Sequence, residues 1–346
     1  MAYTTINKSS DHFNTVQWTG NASTNAITGV GFRPDWIWGK SHTSGYSHQL
    51  YDVLRGATYA LKTNGATAQE TLSTGLTSFD SDGFTLGSNT NINASGHTVT
   101  AWNWKAGTTG SGTTGGSGTA KSYSYSVNTT SGFSIVKYEG NGTNNHQIPH
   151  HLGAVPKMII FKNEQDGYGW DVYHVSMGNA KRMYLSATNA EASATNFLNS
   201  TTPTSTYINL GDAGHTNHSG TSHIAYVFAE KTGFSKFGSY TGNGSTDGSY
   251  IHLGFKPAWI MVKRTDTAKP WMMYDNKRIG YNPDNNQLQA NDSVAEATND
   301  FLDIVSNGFK VRTTDSTMNT SSGSYIYMAF AEAPLVGSNN VPCTAR

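Results

Sequence analysis

Three stretches decide the fold: Gly31-Phe32-Arg33-Pro34-Asp35-Trp36-Ile37-Trp38-Gly39-Lys40, Gly153-Ala154-Val155-Pro156-Lys157-Met158-Ile159-Ile160-Phe161-Lys162, and Gly254-Phe255-Lys256-Pro257-Ala258-Trp259-Ile260-Met261-Val262-Lys263. Each sets a glycine three residues ahead of a proline, then an apolar run that stops at a lysine. A proline heading a strand costs no ladder hydrogen bond. The short apolar run behind it predicts a strand buried on both faces. Pro34, Pro156 and Pro257 give periods of 122 and 101 residues.

The repeat extends outward from these runs. Upstream, Trp18-Thr19-Gly20-Asn21 matches Tyr138-Glu139-Gly140-Asn141-Gly142 and Tyr240-Thr241-Gly242-Asn243-Gly244. Downstream, Ala101-Trp102-Asn103-Trp104-Lys105-Ala106 matches Ala225-Tyr226-Val227-Phe228-Ala229-Glu230 and Tyr327-Met328-Ala329-Phe330-Ala331-Glu332. A weaker middle match aligns Leu61, Asn64 and Glu70 with Leu185, Asn189 and Glu191, and with Leu288, Asn291 and Glu296. Opening, middle and closing blocks keep their order three times, the mark of an internal repeat.

Between these blocks, Asp80-Ser81-Asp82-Gly83-Phe84-Thr85-Leu86 and Ser306-Asn307-Gly308-Phe309-Lys310-Val311 predict a tight turn followed by a strand. Asp-Gly and Asn-Gly supply the positive φ such a turn needs. Short helices are expected near residues 66–72, 187–198 and 293–304. The fold class expected is all-β: three tandem antiparallel β-sandwich modules, jelly-roll or lectin-like, with short helices. The boundaries drawn are 1–106 for the first module, 107–121 for a linker, 122–231 for the second, and 232–346 for the third with a C-terminal tail. Residues 107–118 are all Gly, Ser or Thr, which predicts a flexible spacer. The second and third modules should then pack rigidly, and the first should move more freely.

Composition agrees with a β protein and limits function. Of 346 residues, 13% are charged and 12% aromatic, with 37 glycines. Lys plus Arg (23) balances Asp plus Glu (23). A neutral chain has no electrostatic reason to bind nucleic acid. It also lacks the net repulsion that keeps monomers apart, which suits assembly. No run of about 18 apolar residues is present, so no membrane insertion is expected. Met1-Ala2-Tyr3-Thr4-Thr5-Ile6 lacks a basic, apolar leader, so synthesis and folding in a cytoplasm are expected. Cys343 is the single cysteine, so an intrachain disulfide is excluded.

Several blocks closely resemble the concanavalin A-like (lectin/glucanase-like) module of marine bacteriophage structural proteins. They are Pro34 to Lys40, Leu54-Arg55-Gly56-Ala57-Thr58, Leu76-Thr77-Ser78-Phe79-Asp80-Ser81-Asp82-Gly83-Phe84-Thr85-Leu86-Gly87 and Ala101 to Gly107. Ser131-Gly132-Phe133-Ser134-Ile135-Val136-Lys137-Tyr138 with Ile148-Pro149-His150-His151-Leu152-Gly153 resembles a second copy. Met328 to Pro334, through Val341-Pro342, resembles the usual ending. The resemblance covers nearly the whole chain. It implies a virion component such as a tail fibre, head fibre or decoration protein, on the surface of the particle. Other virion proteins would be its partners. A homo-oligomer is expected, trimeric in the case of a fibre.

Candidate chemistry is sparse. His215, His218 and His223 have spacing that could suit a metal, but lie in a polar stretch that favours plain loop histidines. His150-His151, echoed by His252, points to a structural hydrogen bond. Asp80 and Asp82 open like a calcium loop but lack its later ligands, so a turn is expected. A glucanase needs two convergent carboxylates. Here Glu230 and Glu332 stand alone, and Ala106 occupies the matching place. No nucleophile elbow, zinc-protease helix or phosphate loop occurs. The expectation is a non-enzyme with no cofactor and no metal. An attachment lectin for host surface glycan is the alternative, and a polysaccharide depolymerase a more distant one. Tyr46, Tyr168, Trp170 and Trp271, in polar or Gly-rich stretches, are the candidate sugar-stacking residues. The competing reading has them covering cores or making subunit contacts.

Overall fold

The computed structural model describes residues 3–279, 282–283 and 285–334. Cys343 and Val341-Pro342 lie outside the described residues. The fold is all-β, with several antiparallel sheets consistent with a β-sandwich. No helix among the described residues is long and apolar enough to cross a membrane.

Three large sheets follow one order. In sheet I, Phe13–Thr19 lies beside Thr98–Trp104, then Trp36–Ser41, then Gln49–Asp52. In sheet II the same order reads Phe133–Glu139, Ser222–Phe228, Met158–Asn163 and Asp171–His174. In sheet III it reads Ser235–Thr241, Ser324–Pro334, Phe255–Arg264 and Trp271–Asp275. Registers correspond too: Trp36 faces Trp104, Met158 faces Phe228, and Trp259 faces Phe330. Smaller antiparallel sheets form around the expected hairpins. Leu76–Asp80 pairs with Gly83–Leu86, and Leu302–Val305 with Gly308–Val311.

The proline-led strands are buried on both faces, as their sequence predicts. Every residue of Trp36–Ser41 and Met158–Asn163 is buried. Alternation sends successive side chains to opposite faces. From sheet I, Ile37, Val99 and Ala101 join Leu76, Phe84 and Leu86 in one core. Trp36, Trp38, Trp102 and Trp104 face the other way. They join Phe133, Ile135, Tyr226 and Phe228 of sheet II, and Phe237, Trp259, Met261 and Phe330 of sheet III, in a second, shared core. Trp36 stacks on Tyr226 at 4.3 Å, Trp104 meets Trp259 edge-on at 5.7 Å, and Phe228 meets Phe330 at 5.9 Å. A buried aromatic ring removes roughly 150–250 Å² from water. At about 25 cal/mol per Å², each contributes about 4–6 kcal/mol to burying this seam.

The shared core corrects two expectations. The first sheet does not move freely, because its tryptophans fill the same core as sheets II and III. The glycine-rich spacer is not a loose linker. Thr108–Thr113 pairs with Ser122–Asn128, and Gly115–Gly116 with His146–Pro149, extending the sheets. The glycines make the pairing possible. A Cβ on Gly110 would lie 2.5 Å from the Tyr125 hydroxyl oxygen, and one on Gly112 3.0 Å from the Tyr123 ring. Without side chains, the strand lets both rings lie across it.

The three expected helices are also absent. Glu70–Thr71, Ala192–Ser193 and Leu302–Val305 are strands. Backbone N–H groups in these segments bond to neighbouring sheets instead: Gln69 to the Glu164 carbonyl (2.8 Å), Glu191 to Thr265 (2.8 Å) and Glu296 to His42 (3.0 Å). Tertiary partners override a weak local preference. The described α-helices are the single turns Thr90–Asn93 and Gly214–Asn217.

Those two turns, and the non-helical turn leading to Asn319, explain the repeated Gly-Asn of the opening blocks. Asn93, Asn217 and Asn319 are fully buried. Each accepts the backbone N–H of Asn21 (3.1 Å), Asn141 (2.9 Å) or Asn243 (2.9 Å) on its side-chain oxygen. Each side-chain NH2 bonds back into the same loop, as Asn319 does to the Ser245 and Thr313 carbonyls at 2.7 and 2.8 Å. A Cβ on Gly20, Gly140 or Gly242 would stand 2.1–2.2 Å from a carbonyl oxygen, so only glycine fits. Replacing Asn319 by alanine orphans these groups, and we expect a loss of about 2–4 kcal/mol in urea unfolding. A loss under about 0.5 kcal/mol, the range of ordinary surface changes, would contradict this role.

Candidate functional site

The structure overturns two of the four candidate sugar-stacking residues. Trp170 and Trp271 are 0% and 1% exposed. Their polar surroundings read as loops, but their ring faces lie in the shared core. Each indole N–H donates to a carbonyl of the preceding sheet's segment: Trp170 to Lys62 (2.8 Å) and Trp271 to Tyr184 (2.9 Å). The corresponding position of sheet I is His48, since all three lie four residues before Asp52, His174 and Asp275, which face Trp36, Met158 and Trp259. His48 reaches the Gln289 carbonyl with Nε2 (3.0 Å), while Nδ1 accepts from Trp38 (2.8 Å). The bonds therefore run II to I, III to II and I to III, and close a ring.

The lysines that end the proline-led runs repeat this ring. Lys40, Lys162 and Lys263 are fully buried. Each ammonium donates to a local carbonyl, of Ser41 (2.6 Å), Asn163 (2.8 Å) or Arg264 (2.6 Å). Each also reaches a neighbouring segment, at the carbonyl of Ser293 (3.1 Å), Ala66 (3.4 Å) or Thr188 (3.2 Å). Burial away from water pushes the first two ammonium groups down to about 8 and the third to about 7.

A third ring uses different chemistry at one station. Asp52 accepts from the Tyr226 hydroxyl of sheet II (2.7 Å), and Asp275 from the Trp102 indole of sheet I (3.3 Å). Arg55 and Arg278 pair with these aspartates at 2.5 and 2.7 Å. Sheet III offers Met328 at the position of Trp102 and Tyr226, judged by register opposite Trp38, Ile160 and Met261. A methionine has no such donor, and sheet II correspondingly carries His174, which meets the Tyr327 carbonyl at 3.2 Å. Donor and acceptor change together.

The other candidate residues are dispersed. Tyr46 is half-buried against His97 (5.4 Å), and Tyr168 is half-buried against His215 (4.5 Å). Among the three histidines, His218 pairs with Asp166 (2.7 Å), His215 stands 3.5 Å from buried Asp171, and His223 stacks on Tyr138 (5.2 Å). Among the described residues, no three metal-ligating side chains gather. Asp82 accepts the N–H groups of Gly29 (3.1 Å) and Gly31 (2.6 Å), tying down a turn. His150 bonds the Thr204 carbonyl (3.1 Å), a structural role, whereas His252 is exposed. Glu230 accepts the Phe237 N–H (3.2 Å), and Glu332 pairs with Lys256 (2.6 Å).

The open space lies elsewhere. A cavity of about 500 Å³ lies at the junction of sheets I and II, and a second of about 360 Å³ adjoins it along sheet II; the two share Lys137, Gln165 and Ser222. Arg55, Tyr59, Gln69 and Glu164 line the larger one. Ser122, Tyr123, Ser124 and Glu139 line the smaller. A corresponding cavity of about 320 Å³ at the junction of II and III is lined by Lys181, Glu191, Ser239 and Thr265, among others. The two junction cavities carry no signal in the sequence, since their residues are joined only by the packing of sheets far apart in the chain.

Residues 8–334 match the model of a family described as a domain of unknown function, DUF7483. No curated protein and no solved structure matches the chain.

Buried histidines set the acid response. Burial holds His48 down to about 3, and His150, His174, His215 and His223 down to about 4, from an ordinary 6.5. Between about 4 and 6.5 the unfolded chain therefore binds more protons than the folded one, and stability is lost as pH falls. Asp171, pushed up to about 7 by burial, works in the opposite direction, as do Glu164 and Asp35, both raised by burial. Burial lowers His12, His146 and His151 as well, so the histidines outnumber the three raised carboxyls, and the thermal unfolding midpoint is expected to drop from pH 7 to pH 5. A midpoint that climbs steadily over that range would contradict the assignment.

Proposed function

The chain belongs to the DUF7483 family, and we propose that it is a non-enzymatic structural protein of a bacteriophage particle, of fibre or decoration type. In this reading it consists of three tandem copies of one lectin-like β-sandwich. It is made in the host cytoplasm, carried on the virion surface, and joined to other virion proteins.

The observation that carries the reading is the use made of the buried polar groups. Lys40, Lys162 and Lys263, with Asp52, His174 and Asp275, bond across sheets in closed rings. Removing one member of such a buried bond leaves its partner unsatisfied, at about 1–3 kcal/mol. Chemistry committed to joining sheets in this way yields a rigid block, which suits a part of a particle. The resemblance of the repeated blocks to phage structural modules supplies the setting. Equal numbers of acidic and basic residues, 23 of each, suit dense packing beside neighbours.

The trimer expected from sequence has an intramolecular counterpart, since one chain supplies all three sheets of the shared core. Covalent linkage gives the sheets a high effective concentration, so this core forms without a second chain. Assembly in this reading is therefore with other virion proteins. Mass spectrometry of density-purified particles of the phage that encodes the chain tests it. The chain should co-purify at a fixed ratio to the major capsid protein. Abundance in the lysate with absence from the particles would overturn the reading.

A further inference from the structure

We infer that the free edge of sheet III, strand Ser235–Thr241 with its small-sheet neighbour Tyr250–His252, is a docking site for an extended, uncharged segment of another polypeptide that carries aromatic residues at alternate positions. The inference adds a surface and a partner chemistry to the structural role. It does not require the partner to be a virion protein.

The argument starts from three equivalent edges that the chain treats unequally. In sheet II, Phe133–Glu139 is covered by Ser122–Asn128, and the small-sheet strand His146–Pro149 by Gly115–Gly116. Phe13–Thr19 of sheet I and Ser235–Thr241 of sheet III hold the place of Phe133–Glu139, and among the described residues no strand pairs with their outer side. Burial records the difference. Gln17, Thr19, Ser239 and Thr241 are exposed, whereas the covered strand has no exposed residue. Sheet III also lacks the chain to cover itself. Residues 105–132 connect Trp104 to Phe133, and the cover of sheet II is made from them. Only residues 229–234 connect Phe228 to Ser235.

The outer side of this edge is ready for a ladder. Antiparallel pairs alternate between bonding across and turning away. Ala331 N–H bonds the Phe234 carbonyl (2.8 Å) and Gly242 N–H the Gly323 carbonyl (2.9 Å). In this register Lys236, Gly238 and Tyr240 bond to Ser324–Pro334, and Phe237, Ser239 and Thr241 turn outward. The Glu230 carboxylate accepts the Phe237 N–H (3.2 Å), and the Ser249 hydroxyl donates to the Thr241 carbonyl (2.9 Å). Both main-chain groups of Ser239, the Phe237 carbonyl and the Thr241 N–H remain for an incoming strand. Tyr3 reaches only the start of the edge, where its hydroxyl donates to the Gly254 carbonyl (3.1 Å). Residues 237–241 carry no lysine, proline or bulge, the usual means of blunting an edge.

Sheet II shows what such an edge accepts. Tyr123 and Tyr125 of its cover lie opposite Tyr138 and Val136 and pack on the same core. Lys121, just ahead of the cover, pairs with Glu139. In sheet III, Thr241 stands at the place of Glu139 and asks for no charge, while half-buried Tyr240 stands at the place of Tyr138. Tyr250 is 47% exposed. It precedes Ile251, opposite Phe309, as Gln147 precedes Ile148, opposite Ile208, and Gln147 is where Gly115 crosses. A segment crossing there with a small residue would cover the Tyr250 ring. Sheet I has Ala26 at this place, so it offers no ring. The chain's own segment of this kind is held in sheet II, so the occupant is a different polypeptide. Main-chain bonds would supply its affinity and alternate side chains its specificity.

The probe is the capped peptide Ser-Tyr-Ser-Tyr-Ser-Val-Asn, the sequence of residues 122–128, titrated into the full chain. The readout is amide hydrogen exchange followed by NMR. Ser239 and Thr241 should exchange fast in the free chain and slow down with peptide, while Gly238 and Tyr240, already paired, should not change. Ser239→Pro removes an outward N–H and no ladder bond, and should abolish the effect. Tyr250→Ala, at an exposed side chain with little risk to the fold, should weaken binding about two- to fivefold, the range of a cross-strand pair. Gln17→Pro, at the matching place of sheet I, should leave binding unchanged. Slow exchange of Ser239 and Thr241 in the free chain would overturn the inference, since the edge would then be held by the chain itself, at monomer mass, or by a second copy, at dimer mass. So would a peptide that leaves these amides fast, or binding that survives both Ser239→Pro and Tyr250→Ala. Particle composition is read separately, so either reading can fail while the other stands.

Discussion

The rest of the structure depends on one constraint: the large sheets have no face to give to water. Each proline-led strand is apolar at alternating positions on both sides, so each sheet needs two covers. Its own small sheet supplies one, as Leu76, Phe84 and Leu86 do for Ile37. For the other cover, sheets I, II and III use one another, and Trp36, Trp104, Tyr226, Phe228, Trp259 and Phe330 fill the space between them. Non-directional burial brings the sheets together, but it does not by itself select a register.

Register comes from the polar rings laid over this core. Trp170, Trp271 and His48 each meet a specific carbonyl, and Lys40, Lys162 and Lys263 each bridge to the next segment. A buried donor or acceptor left unpaired is costly, so a slip of one residue would be penalised at several points at once. The pairing of Asp52 with Tyr226, Asp275 with Trp102, and His174 with a carbonyl beside Met328 shows the same demand met by different residues. The shared geometry tolerates divergence in sequence when both partners change.

Much of the fold was legible in the sequence because local pattern determines it. The Gly-x-x-Pro runs, the Asp-Gly and Asn-Gly hairpins and the closing aromatic pairs all became the expected elements. What was not legible depended on distant partners. Trp170 and Trp271 sit among polar residues, and their burial follows from Lys62 and Tyr184, over eighty residues away. The glycine-rich stretch at 107–118 looked like a spacer because composition does not reveal that Tyr123 and Tyr125 need room above a strand. Two signals of buried polar groups are present in the repeat. A lysine closes the apolar run three times, and an asparagine recurs at 93, 217 and 319. A polar residue that recurs at one place in a repeated apolar pattern marks a satisfied interior group. Glu164 had no comparable signal, since its cavity exists only where two sheets meet.

Differential scanning calorimetry of the whole chain tests the shared core most directly. If the three sheets are covers for one another, none can unfold alone, and one cooperative transition should appear with calorimetric and van't Hoff enthalpies in agreement. Resolved successive transitions, each accounting for about a third of the heat, would contradict the account.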